Sequence, residues 1–296
     1  MEMVRILPVD RISTLPDDIL GFILSFFPTK EAVQTSILSK RWRYAWTFAS
    51  KIEISNYSSN VINPNSTVFT YNVLRGNCVS CLEELELEFS SNHNSRNLRN
   101  WMNHASLRDA VKLSLDFPLH KYATVPTSFF SSKKLEYITL GCGIILNAPK
   151  SVHFPSLKSL VLYDVHLFDD ESLGNILAGS PVLGILRMTR NRLDTINTLN
   201  IQSNSLTCLL LDALAVPFEV SDVTVVIKTP NLIAFHIYDW SPKEFKVDNF
   251  PSLLYANICI SDGLSSNDNT LAGLLRKLSS AECLILGGNT FEVSLI

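Results

Sequence analysis

Residues 160–188 read LVLYDVHLFDDESLGNILAGSPVLGILRM. Leu160 and Leu162 alternate with other side chains, as in a short strand that buries one face. Asp169-Asp170-Glu171-Ser172-Leu173-Gly174-Asn175-Ile176-Leu177 then reads as a capped helix with an acidic first turn. Pro181 interrupts the chain two residues before Leu183, where it stops the helix and turns the backbone toward extended structure. Leu183, Leu186 and Met188 then restore the spacing of Leu157, Leu160 and Leu162. The stretch is therefore one period of a strand–helix–turn unit.

The unit L-x-x-L-x-L recurs in both directions. It appears as Leu82/Leu85/Leu87, Leu135/Ile138/Leu140, Leu206/Leu209/Leu211, Leu232/Phe235/Ile237 and, more weakly, Leu253/Ala256/Ile258. Ala110/Leu113/Leu115 and Ala281/Leu284/Leu286 begin with alanine. Successive starts at 82, 110, 135, 157, 183, 206, 232, 253 and 281 are separated by 28, 25, 22, 26, 23, 26, 21 and 28 residues. That is the period of leucine-rich repeats. Each repeat can bury its apolar face only against its neighbours, so stacking is what makes a continuous core. The uneven steps predict an irregular solenoid, with parallel strands on the concave face and helices and loops on the convex face. Pro155, Pro230 and Pro251 precede Leu157, Leu232 and Leu253 as Pro181 precedes Leu183.

Residues 12–48 follow a different rule and read as three short helices. Pro16 suits a first helical position, and Asp17 and Asp18 place negative charge at the positive end of the dipole. Ile19, Leu20, Ile23, Leu24 and Phe27 share one face, and Pro28 ends the helix. Thr29 is the expected cap of a second helix holding Ala32, Val33, Ser36 and Ile37. Ser39 caps a third, with Trp42 and Trp46 one turn apart. So short a unit cannot bury this much apolar surface by itself. It requires a partner or the rest of the chain.

Leu15 to Trp46, LPDDILGFILSFFPTKEAVQTSILSKRWRYAW, closely resembles the F-box in its plant form. The repeats, with the stretch quoted first, are similar to the plant F-box/leucine-rich-repeat proteins, many of which end in an FBD domain. The resemblance implies an α/β protein with an F-box over residues 8–50, a linker and N-terminal cap over 51–80, and about nine leucine-rich repeats over 81–296. It implies docking on the Skp-type adaptor of an SCF-type cullin–RING ubiquitin ligase. Carried over by position, the adaptor contacts are Leu15, Pro16, Ile19, Leu20, Ile23, Leu24, Leu38 and Trp42. Some of these must hold the helices together instead, and the sequence does not separate the two sets. Phe27 stands where the family often has leucine. The Asn or Cys that usually follows each strand is mostly replaced, only Asn191 and Asn289 falling at that position, and the FBD domain is expected to be missing after Phe291–Ile296.

In such a solenoid the residues between the leucines face the concave surface, with Glu88, Tyr163 and Tyr238 just past the strands. The target-binding candidates are Glu84, Glu86, Tyr137, Tyr163, Arg187, His236 and Tyr238, tyrosine and arginine being favoured anchors in recognition. Catalysis is not expected: none of the six histidines lies in a metalloprotease or hydrolase motif, and no Gly-rich phosphate loop occurs. Cys78 and Cys81 form a lone C-x-x-C without further metal ligands, so no metal or cofactor is expected. The net charge of −3 argues against a nucleic-acid surface, and Lys40, Arg41 and Arg43 read as a solvated or adaptor-facing edge. With no signal peptide or bilayer-spanning stretch evident, the expected location is cytoplasm or nucleus, without membrane attachment. Two other functions are compatible with parts of the sequence: an interaction scaffold acting without ubiquitin ligation, and an extracellular receptor suggested by the sequons at Asn56 and Asn65, against which the missing signal peptide counts.

Overall fold

The computed structural model describes residues 10–55, 66–79, 81–89, 99–104, 109–116, 122–190, 196–213, 221–240, 242–260 and 268–288. Asn56, Asn65, Asn191, Asn289 and the segment Phe291–Ile296 lie outside them. The chain opens with α1 (Asp17–Leu24), α2 (Thr29–Gln34) and 3-10 turns at Thr35–Ile37 and Trp42–Phe48. It continues through β1 (Lys51–Ser55), α3 (Ser66–Gly76), β2 (Glu84–Glu88), β3 (Lys112–Asp116) and β4 (Ala123–Thr124). A 3-10 turn at Thr127–Ser131 leads to β5 (Tyr137–Leu140), β6 (Ile144–Leu146), β7 (Ser159–Tyr163), β8 (His166–Leu167) and α4 (Ser172–Ala178). Next come β9 (Ile185–Arg190), β10 (Thr198–Gln202), β11 (Cys208–Ala213), β12 (Ser221–Lys228), β13 (Ala234–Tyr238) and β14 (Pro242–Val247). The described chain ends with β15 (Tyr255–Ile260), α5 (Asp268–Lys277) and β16 (Cys283–Gly288).

Among the described residues, ten strands form one parallel sheet in the order β1-β2-β3-β5-β7-β9-β11-β13-β15-β16. The nine sequence repeats supply all of them but the first. β1 was missed, yet its signal is present: Ala49/Ile52/Ile54 has the spacing of Ala110/Leu113/Leu115. Of the stretch 51–80, residues 51–55 are this edge strand and 66–76 are α3. The register keeps each leucine beside its equivalent, as in Leu85↔Leu113↔Ile138↔Leu160↔Leu186↔Leu209. These side chains are buried and form one continuous core from Ile52 to Leu278. Phe129, Phe130 and Phe154 fill it between the two layers, with ring centroids 5.6 to 6.3 Å apart.

The layer opposite the sheet departs from expectation. Helices and loops were anticipated there, but two small parallel sheets, β4-β6-β8 and β10-β12-β14, cover much of it. The cause is local: Val223, Val225 and Ile227 alternate with period two and are β-branched, which favours strand over helix. The prolines also act differently. Leu157, Leu183, Leu232 and Leu253 each donate a backbone N–H to the carbonyl three residues back, closing a turn with proline at its second position. Only Pro181 follows a helix. Pro230 and Pro251 follow strands β12 and β14.

α4 begins at Ser172, so Asp169-Asp170-Glu171 precede it rather than form its first turn. Asp169 Oδ1 accepts from the Ser172 N–H at 2.7 Å and caps the helix. Asp170 accepts from the N–H groups of Asn197 and Thr198 in the next repeat, at 2.9 and 3.2 Å. Asp169 thus serves its own helix, and Asp170 joins that helix to the next repeat. At the end of α4, Gly179 lets the backbone approach: a Cβ there would lie 2.4 Å from the Val152 carbonyl oxygen.

Candidate functional site: an apolar helical face and a patterned strand face

The N-terminal module has a small core of its own, made of Leu20, Leu24, Ala32 and Ala45 with Leu15, Trp42 and Trp46 against it. Gly21 permits this, since a Cβ would sit 2.4 Å from the Phe48 carbonyl oxygen. Pro16 precedes α1 instead of opening it, and α1 ends at Leu24, where Ser25 Oγ donates to the Gly21 carbonyl, well before Pro28. Thr29 does not cap α2. It is the first helical residue, and its Oγ1 accepts the Glu53 N–H of β1 at 2.8 Å. Ser25 Oγ likewise accepts the Ser50 N–H at 3.0 Å, while Val33 and Trp46 pack on the core of the repeats. Part of the surplus apolar surface is therefore covered by the chain itself. Arg41 bonds to the Leu15 carbonyl and lies 3.3 Å from Asp17, so it ties down the start of α1.

The eight adaptor-contact candidates divide. Leu20 and Leu24 are buried within the module. Leu15, Ile23 and Trp42 are half-buried, and Trp42 Nε1 donates to Ser13 Oγ at 2.8 Å. Pro16 is exposed, as are Ile19 at 45% and Leu38 at 65%. Sequence reasoning missed the most exposed apolar side chains, Ile37 at 88% and Phe26 at 75%. Phe26 packs edge-on against Phe22 with centroids 5.0 Å apart. Their sequence signal was faint, because both fall within runs already assigned to a helix interior.

The seven target-binding candidates all lie on the outer face of the large sheet. Glu88, Tyr163 and Tyr238, expected just past the strands, are their last residues. At one end Glu53, Glu84, Glu86 and Glu88 share β1 and β2, and Lys51 lies 3.3 Å from Glu84 and 3.6 Å from Glu53. Burial and the neighbouring Glu88 and Glu53 carboxylates push Glu86 up to about 7. Farther along, the Lys112 ammonium lies 5.7 Å from the Tyr137 ring centroid. Arg187 lies 5.3 Å from the Tyr163 ring centroid and bonds to Asp212. His236 lies 5.2 Å from Tyr255 and 6.5 Å from Tyr238. Burial lowers His236 below its ordinary value, so at neutral pH it presents an uncharged ring. Arg187 with Tyr163 thus lies on one side of β11 and His236 with Tyr238 on the other, while Glu84 and Glu86 form a separate group toward the β1 edge. Asp212 was overlooked, although it follows Leu209/Leu211 as Tyr163 follows Leu160/Leu162.

The chemistry of the cysteines is quiet. Burial and the Asp116 and Asp164 carboxylates push the Cys142 thiol up to about 12, far from a reactive thiolate. Among the described residues, no group of His, Cys, Asp and Glu could hold a metal ion. A cleft of about 690 Å³ runs beside the proline turns, lined by Pro181, Gln202, Lys228, Thr229 and Asp248, and contains none of the candidate residues.

Two family models match this arrangement. The F-box domain covers residues 12–50, and the LRR repeats of FBD-associated F-box protein At5g56370 cover residues 98–253. The chain belongs to the plant F-box/leucine-rich-repeat family. Among its Arabidopsis thaliana relatives, putative F-box/LRR-repeat protein At4g15060 is 35% identical over 78% of this chain and 55% of its own length. F-box/FBD/LRR-repeat protein At2g04230 is 34% identical over 96% of this chain and 64% of its own length. F-box protein At4g09920 is 32% identical over 96% of this chain and 89% of its own length. The chain thus spans less than two thirds of the first two relatives. An F-box joined to leucine-rich repeats is a protein-interaction architecture, and members of this family are generally non-catalytic adaptors.

Proposed function

We propose that this F-box/LRR chain is the substrate-recognition subunit of an SCF-type cullin–RING ubiquitin ligase. Its helical module docks on a Skp-type adaptor, its strand face holds the target, and cullin and RING subunits perform the transfer. We place it in the cytoplasm or nucleus, where that machinery works. The observation that carries the reading is the apolar surface of Ile19, Ile37, Leu38 and Phe26, which the described chain leaves uncovered on a module matched as an F-box. Exposed apolar patches of this kind mark interaction sites.

The test is co-purification of the full chain with a Skp-type adaptor. Wild-type chain is expected to form the complex, and Leu38→Asp with Ile19→Asp to weaken it by about a hundredfold, as loss of central apolar anchors does. Unfolding should change little, because both side chains are exposed. No complex with wild type, or an undiminished complex with the variant, would sink the docking role. Bound partners whose levels stay unchanged on cullin inhibition would sink the ligase role.

A further inference from the structure

On the strand face one carboxylate is only half satisfied. Asp212 on β11 stands between Thr189 of β9 and Tyr238 of β13 in the register. From the β9 side, Arg187 takes one carboxylate oxygen: Nε and Nη2 reach Oδ2 at 3.0 and 2.9 Å. The same guanidinium lies 5.3 Å from the Tyr163 ring centroid. The other oxygen, Oδ1, is shut off from solvent and has no hydrogen-bond donor. A carboxylate oxygen removed from water demands a donor.

The β13 side offers the other half. Tyr238, His236 and Tyr255 form a shelf of rings, with Tyr238 and His236 within 15° of parallel. Asn257 Nδ2 donates to the Tyr238 hydroxyl at 2.8 Å and steadies that ring. Tyr238 is 39% exposed and stands beside Asp212 in the register.

We propose that the strand face recognises an arginine side chain of the target protein, which donates to Asp212 Oδ1 while its guanidinium plane lies on the Tyr238–His236 rings. The target arginine repeats on the β13 side what Arg187 and Tyr163 do on the β9 side. Arginine alone meets every requirement: it is flat, cationic and presents a fork of donors. Lysine stacks poorly and is strongly hydrated. An aromatic side chain would cover the rings and leave Oδ1 unmatched. An acidic one would face Asp212 and, farther along the sheet, Glu53, Glu84, Glu86 and Glu88. Those glutamates give the same face a negative end, which suits further basic residues beside the arginine. The inference rests on the strand face being the target-holding surface, but its test needs no ligase.

The probes are short fluorescein-labelled Gly/Ser peptides carrying a single central Arg, Lys, Phe or Glu, titrated onto the full chain at low salt and read by anisotropy. The arginine peptide is expected to bind about tenfold more tightly than the others. Asp212→Asn and Tyr238→Ala should each weaken it by about tenfold, while Tyr238→Phe, which keeps the ring, should hold within about twofold. Thermal unfolding identifies a variant that has lost its fold, and Tyr238→Ala then carries the test if Asp212→Asn fails. Equal binding of the arginine and lysine peptides, tighter binding of the phenylalanine peptide, no binding of any peptide, or indifference to both variants overturns the proposal. Arginine binding by a chain that ignores the adaptor would leave this inference standing and remove the ligase reading; the converse would remove this inference alone.

Discussion

The helical module and the repeat array treat the same kind of residue in opposite ways. In the array, every strand leucine from Leu85 to Leu211 that carries the repeat is buried in one continuous core. In the module, four residues form the buried centre, while Ile37, Phe26 and Leu38 stand in solvent. The array satisfies itself by stacking, each strand completing its neighbour. The module is too short to do so. It spends part of its apolar surface on the array, through Val33 and Trp46, and leaves the rest exposed. Apolarity in the array thus measures stability, and in the module, on the docking role proposed above, it measures affinity.

The sharpest way to break that contrast is a pair of truncations. Leu209→Ala, in a fully buried central strand, should cost about 3 kcal/mol in urea unfolding. Ile37→Ser, at 88% exposure, should change stability by less than about 0.5 kcal/mol. Comparable losses for the two would show that the exposed helical face is covered within the folded chain. A smaller effect tests the seam between the regions. Thr29→Val keeps the shape but removes the acceptor for the Glu53 N–H, and should cost about 1 to 2 kcal/mol. Amide hydrogen exchange at Glu53 should rise with it; an unchanged rate would mean that the module does not brace β1.

The smallest effect lies within the strand face. Glu86 is raised to about 7 from 4.5, so between those values the folded chain binds the extra proton and stability falls as pH rises. Above pH 7 the cost of burying the charged carboxylate, and of its repulsion by Glu88 and Glu53, is fully present. Glu86→Gln should therefore stabilise the chain above pH 7 by about 1 kcal/mol or less, since the carboxylate is partly solvated and screened, and should have little effect below pH 4.5. A gain of the same size at both ends of the range would rule out the charge of Glu86 as the cause. Denaturant midpoints across pH provide the measurement.

Much of the array was legible because its information is local. The leucine spacing names the strands, and alternation names the side of the sheet each residue takes. β1 escaped because isoleucine and alanine replace leucine in Ala49/Ile52/Ile54. The second layer escaped because helix was anticipated from one well-marked example, α4, while Thr198–Gln202 and Ser221–Lys228 carry the period of strands.

By itself, then, the sequence determined the repeat, the direction of its core and the presence of an F-box before it, since each follows from periodicity or a contiguous motif. Only the tertiary structure decided which apolar residues of the module are internal. Leu20 and Ile19 are adjacent and chemically alike, and the close crossing at Gly21 and Phe48 buries one and exposes the other. Only the register across strands brought Arg187 to Asp212, and Asp212 beside Tyr238. Such partners lie more than twenty residues apart in the chain, and the stacked strands set their side chains side by side.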